Sequence, residues 1–136
     1  MRTKAKPKKR VVAIVDDDAS VRRSTHRLIS SLGYRAEAFG SAEEFLDSGQ
    51  AKTTTCLITD VRMPGIDGLE LQRRLSRSRI PIVFITGRAS DEEERRALQG
   101  GAIAFLRKPV DKAALLAALD AAFERSKSDG DGHEND

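Results

Sequence analysis

Val11-Val-Ala-Ile-Val-Asp-Asp-Asp18 decides the fold. Five consecutive apolar residues, four of them β-branched, lack the alternation of a strand with one wet face, so they predict a strand covered on both sides. The three carboxylates that end the run place charge just after that strand. Ala19 to Leu32 follows with Val21, Leu28, Ile29 and Leu32 on one helical stripe, stopped by Gly33 as a C-terminal cap. One strand and one helix thus form a βα unit, and the rest of the chain repeats it.

Four further units can be read. Tyr34 to Phe39 alternates as a shorter, more exposed strand, and Ser41-Ala-Glu-Glu44 is a capping box that opens a helix to about Ser48. Thr55 to Thr59 is the third strand, followed by a helix from Gly68 to Arg77 carrying Leu69, Leu71 and Leu75. Pro81 to Ile85 is the fourth, with Ser90 and Glu93 capping a charged helix to about Gln99. Ala102 to Leu106 is the fifth, and Asp111 caps an alanine-rich helix to about Arg125. Alternating strands and helices predict an α/β three-layer sandwich: a five-stranded parallel sheet with right-handed crossovers and helices on both faces.

Composition narrows the class. The chain has 136 residues and one cysteine, which excludes an intramolecular disulfide and a cysteine-based metal cluster. A chain of this length holds one domain with a sufficient core. Its longest apolar runs, including the alanine-rich 113–123, fall short of the ~20 residues that span a bilayer, so the reading is a soluble intracellular protein with no membrane partner. The net charge of +3 is local. Residues 1–10 carry six positive charges and no negative ones, and 127–136 carry Lys127 against four acids, leaving 17 basic and 17 acidic side chains in 11–126. The expected organisation is a basic disordered tail (1–10), a neutral folded body (11–126) that does not bind nucleic acid directly, and an acidic disordered tail (127–136).

In open parallel sheets, ligands collect at the carboxyl ends of the strands where strand order reverses. The chemically useful residues sit there: Asp16, Asp17 and Asp18 after the first strand, Asp60 at the end of the third, Thr86 after the fourth and Lys108-Pro109 after the fifth. Carboxylates gathered at one edge repel unless a cation joins them, and an all-oxygen set without His or Cys suits Mg²⁺ rather than zinc. Lys108 and Thr86 then suit a phosphate, one as a point charge and the other as a hydroxyl donor. Simpler roles remain for other residues: Asp18 as a helix N-cap, Asp67-Gly68 as a turn and helix start, His26 on a solvated arginine-rich face, and Cys56 as a small buried hydrophobe.

Val15-Asp-Asp-Asp18, Thr59-Asp-Val-Arg-Met-Pro-Gly-Ile-Asp-Gly68, Ile85-Thr86 and Phe105-Leu-Arg-Lys-Pro109, in that order at four strand ends, resemble the receiver domain of two-component response regulators. The resemblance covers residues 11 to about 125 and implies a flavodoxin-like sheet in the order 2-1-3-4-5. It implies that Asp60 is the phosphoacceptor. Asp16, Asp17 and Asp60, with the main-chain oxygen of Arg62, would hold Mg²⁺, and Thr86 and Lys108 would bind the phosphate, with a cis peptide before Pro109. Thr86 and Phe105 match the switch positions, Phe105 standing where many members have tyrosine. Arg62 and Arg88, each two residues beyond a site residue, are expected to reach the mouth of the site.

The implied function is phosphorelay signalling in the bacterial cytoplasm. A sensor histidine kinase or phosphotransfer protein supplies the phosphoryl group, the domain catalyses only its own modification, and an output face of the fourth helix, fifth strand and fifth helix responds. The downstream effector is not legible, and a phosphorylation-dependent homodimer is left open. Nothing after Arg125 is long enough for a DNA-binding domain, so the reading is a stand-alone receiver or a receiver fragment. The competing class is a Mg²⁺-dependent small-molecule phosphatase or phosphotransferase with an aspartyl nucleophile, disfavoured because the loops after the strands are too short to enclose a metabolite.

Overall fold

The computed structural model describes residues 10–134. Residues 1–9 and 135–136, with the disorder expected of them, lie outside the described residues. Five strands, β1 (Val11–Val15), β2 (Arg35–Phe39), β3 (Cys56–Thr59), β4 (Ile82–Thr86) and β5 (Ala104–Arg107), form one parallel sheet in the order β2-β1-β3-β4-β5. The helices are α1 (Ala19–Ser31), α2 (Ala42–Ser48), α3 (Gly68–Arg74), α4 (Asp91–Gln99) and α5 (Lys112–Glu134).

The continuous apolar strands divide their side chains between two cores because successive residues point to opposite faces. Ala13, Val15, Leu57 and Phe84 pack with Phe45 of α2, Leu71 of α3 and Ala97 of α4. Val12, Ile14, Ile58 and Val83 pack on the other face with Ile29 of α1 and Leu115, Leu119 and Phe123 of α5. The predicted three layers follow. Register aligns the carboxyl ends: Val15 lies opposite both Phe39 and Thr59, and Thr86 opposite Arg107. The chain steps outward from β1 to β2 and then back across β1 to β3, so order reverses where Asp16 and Asp60 emerge.

Element ends differ from the sequence expectation for local reasons. Tyr34 stays outside β2, its ring packed 4.9 Å from Phe123. β3 starts after Thr55, which instead exchanges hydrogen bonds with Val11. Helix α3 ends at Arg74 rather than Arg77 because Leu75 to Ser78 tighten into turns, the Ser78 hydroxyl donating to the Leu75 carbonyl. β5 begins two residues late, since Gly101 (φ +99°) and Ala102 are still closing α4. At α2 the box is incomplete: Ser41 accepts from the Glu44 N–H, but the Glu44 carboxylate takes the Gly40 N–H. At α4, Ser90 and Glu93 cap each other as expected.

Both tail boundaries move. Arg10 is already anchored, its carbonyl accepting from Arg35 N–H and its guanidinium 4.8 Å from the Phe123 ring centre. At the other end α5 continues past Arg125 to Glu134, so much of the stretch read as a disordered acidic tail is helical. Extending a formed helix adds one hydrogen bond per residue fixed, and no proline interrupts it.

Candidate functional site

Each acid is held by the strand that delivers it. The Asp16 N–H donates to the Phe39 carbonyl (3.2 Å) and the Asp60 N–H to the Val15 carbonyl (3.2 Å), each carrying a strand ladder one residue past the strand end. Asp16 is 5% exposed, Asp60 half-buried and Asp17 exposed. Their carboxylates can each bring an oxygen within 4.8 Å of the others. The Asp18 carboxylate takes no part: it caps α1, accepting from the Ser20 and Val21 N–H groups at 2.9 and 3.2 Å.

One cation faces the acids. Lys108 Nζ is 3.5 Å from Asp16 Oδ2 and 3.5 Å from Asp60 Oδ2. The peptide between Lys108 and Pro109 is cis, and the Lys108 N–H donates to the Thr86 carbonyl at 2.8 Å. Three carboxylates against one ammonium leave an excess of negative charge among these groups. Burial holds the Asp16 carboxyl above its usual range, with Asp60 and Asp17 adding to the effect; the Asp18 N–H, donating to Oδ1 at 2.9 Å, and Lys108 oppose it. An oxygen-only cluster with unbalanced charge could hold a hard divalent cation.

The other predicted residues make contacts of their own. Thr86 is buried (1% exposed) with its hydroxyl donating to the Arg88 carbonyl at 2.8 Å and accepting the Arg88 N–H at 3.2 Å, so it faces its own loop. Phe105, half-buried on β5, lies 5.8 Å from the Phe84 ring, with the Arg107 guanidinium 5.4 Å from its centre. Arg62 follows Asp60 by two residues, but its guanidinium is turned to Glu93 of α4 at 3.0 Å instead of the mouth of the site. Glu93 Oε1 also accepts the Ser90 N–H, so one carboxylate oxygen caps α4 and ties it to the β3–α3 loop. His26, expected on a solvated face, is half-buried and donates from Nε2 to the Ala36 carbonyl at 3.1 Å.

Three further residues position the loops around the site. Glu43 of α2 accepts the Ile66 N–H at 3.1 Å and lies against Gly65, whose φ of +74° turns the β3–α3 loop. Gly68, read as part of a turn and helix start, also has a steric requirement: its N–H donates to the Val61 carbonyl at 2.8 Å, and a Cβ there would overlap the Asp60 carbonyl. Arg107 reaches the Ala89 carbonyl at 2.8 Å and Glu94 at 2.8 Å, fastening the start of α4 to β5. The Asp-Gly pair at 67–68 is a sequence signal for the second; the others depend on contacts 13 to 23 residues apart.

A doubly wound parallel sheet that brings acids from the ends of β1 and β3 to a lysine after β5, with a buried threonine ending β4, defines a receiver-type signalling module. Comparison with known proteins agrees. The model of the response regulator receiver domain matches residues 12–120, and the chain belongs to that family. Nodulation protein W of Bradyrhizobium diazoefficiens is 46% identical over 121 residues, covering 88% of this chain and 53% of that protein. The transcriptional regulatory protein FixJ of Azorhizobium caulinodans is 39% identical, covering 91% and 60%. Among solved structures, the response regulator StyR superposes with a TM-score of 0.86 at 39% identity over 93% of this chain and 65% of that one. The FixJ-N crystal structure gives 0.76 at 33%, over 85% and 94%. The chain spans about half the length of the curated relatives it matches. The relatives are signalling regulators, and the small-molecule phosphatase reading gains no support from them. Among the described residues no helix is long and apolar enough to cross a membrane.

Proposed function

We propose that this receiver takes a phosphoryl group onto Asp60 from the phosphohistidine of a sensor histidine kinase or phosphotransfer protein. The observation that carries the proposal is Lys108 Nζ, 3.5 Å from both Asp60 and Asp16, a fixed cation beside the reacting carboxylate. An Asp60 carboxylate oxygen attacks phosphorus, the new P–O bond forms as the P–N bond to the donor imidazole breaks, and the imidazole leaves with its electron pair and takes a proton from solvent. Lys108 balances charge on the phosphoryl oxygens as the bond order falls. The Asp60 backbone, tied to β1 and β3, keeps the nucleophile in line.

The acids fit Mg²⁺: Asp16, Asp17 and Asp60 carboxylates with the Arg62 carbonyl would hold it. When bound it supplies Lewis-acid charge neutralisation at the transferring phosphoryl group. In the product, Thr86 exchanges its Arg88 partners for a phosphoryl oxygen, and Phe105 fills the space released. The face built by α4, β5 and α5 then repacks toward an effector protein or a second copy of the chain. On this reading the unit that carries the signalling chemistry is residues 11–126, with the α5 extension to Glu134 outside it, the chemistry is self-modification, and the bacterial cytoplasm is its setting.

Incubation with MgCl2 and acetyl phosphate, followed by intact-mass measurement, tests the proposal. One phosphoryl mass gained by the native chain and none by Asp60→Asn is expected. No gain in the native chain, or equal gain in the variant, overturns it.

A further inference from the structure

We infer that Arg22 of α1 is a positioning residue for the acid cluster, setting its affinity for the divalent cation by holding the peptide between Asp16 and Asp17. The inference rests on the proposed reading that these acids hold Mg²⁺. Its observation is separate: Arg22 Nη1 donates to the Asp16 carbonyl at 2.7 Å. The same guanidinium lies against Gly40 after β2, where a Cβ would stand 3.5 Å from Nη1. Arg22 therefore reaches from the first turn of α1 across the end of β1 to the β2–α2 turn.

Asp16 is buried, so both of its main-chain polar atoms need partners. Its N–H has the Phe39 carbonyl, and its carbonyl has Arg22. The first bond fixes the Val15–Asp16 peptide, and the second, through the carbonyl that belongs to it, fixes the plane of the Asp16–Asp17 peptide, which sets the direction in which Asp17 leaves the chain. Asp17 has little else to hold it: it is exposed, and among the described residues no hydrogen bond is made to its side chain. A charged donor on a buried carbonyl is a strong hydrogen bond, stronger than a neutral donor would give. Asp17's aim toward Asp16 and Asp60 is thus inherited from a guanidinium on the neighbouring helix.

Electrostatics and positioning make opposite predictions. Removing a positive charge near three carboxylates strengthens cation binding on Coulomb grounds alone. Removing the group that aims a ligand weakens it, typically about 10-fold or more for residues that orient metal ligands. Arg23 provides the control. It is exposed, carries the same charge one residue further along α1, and among the described residues makes no hydrogen bond to the β1–α1 turn.

The experiment is calorimetric titration of MgCl2 into the full chain and into Arg22→Ala, Arg22→Lys and Arg23→Ala, each checked for folding by circular dichroism. Arg22→Ala is expected to bind Mg²⁺ about 10-fold more weakly, Arg22→Lys to recover part of the loss through its single donor, and Arg23→Ala to match or exceed the native affinity. Equal or tighter binding by Arg22→Ala overturns the inference. Equal weakening by Arg23→Ala overturns it too. If Arg22→Ala fails to fold, Arg22→Lys decides: native affinity or tighter is against the inference, intermediate affinity supports it. No binding by the native chain removes the Mg²⁺ reading and the inference together, which separates that failure from one confined to Arg22.

Discussion

At the residue scale, two buried positions bear the strictest requirements. A methyl group at 68 would overlap the Asp60 carbonyl, and that contact is backbone, which cannot swing aside. Gly68→Ala is expected to cost about 1–3 kcal/mol in urea unfolding and to slow phosphorylation by acetyl phosphate, because the strand end carrying Asp60 must shift. An unchanged midpoint would show that the helix start can move instead. Cys56, fully buried on β3, has its thiol pushed up to about 12 by burial. Folding favours the protonated thiol, so this contribution is intact below the usual thiol range near 9 and is lost as pH rises toward 12. Alkaline unfolding of Cys56→Ala should show a shallower loss of stability above pH 9 than the native chain, and identical slopes would refute the assignment. The native thiol is also expected to resist iodoacetamide until the chain unfolds.

At the scale of elements, the site is held as much by helices as by strands. Glu43 of α2 accepts a backbone N–H of the loop that follows Asp60, so Glu43→Ala should cost about 1.5 kcal/mol and slow phosphoryl uptake without touching a site residue. Denaturant unfolding and a mass time course measure both; an uptake rate equal to native would detach α2 from the site. Such braces were beyond sequence reading. The strands were legible because β-branched runs have a period of their own; Asp16 and Asp60 were legible because each directly follows a strand, Thr86 because it ends β4, and Lys108 because it follows β5 and precedes Pro109. Glu43 to Ile66, Arg62 to Glu93 and Arg107 to Ala89 join elements through single long side chains, and an exposed Glu or Arg on a helix looks the same whether it braces a loop or faces water. Helix ends failed similarly: the Glu44 carboxylate chose Gly40 over Ser41, a choice among neighbours that spacing does not reveal.

For the whole molecule, the proposed Mg²⁺ site ties stability to the cation, because three carboxylates held together repel until one joins them. Saturating Mg²⁺ at ~100 times its dissociation constant should add about 2.7 kcal/mol, seen as a higher Tm, and Asp17→Ala should abolish the gain while leaving the apo Tm near native because Asp17 is exposed. A Tm insensitive to Mg²⁺ would count against the cluster as a cation site. The described packing of α5 on the sheet involves Leu115 to Phe123, and Arg125 Nη1 reaches the Gly101 carbonyl at 2.9 Å. Trimming after residue 126 is accordingly expected to leave the Tm within a few degrees of native, and a collapse on trimming would extend the folded body beyond it.

The hold on Thr86 gives the module a noise floor. Its hydroxyl engages Arg88 twice, and two hydrogen bonds of about 1 kcal/mol each weight the resting arrangement by roughly 30 to 1. On the proposed reading, that ratio sets the leak: a few per cent of molecules would signal without any stimulus. A kinase would then raise output from that baseline by a bounded factor, and Thr86→Val, which removes the resting bonds and the proposed phosphoryl contact together, would narrow the gap between silence and signal.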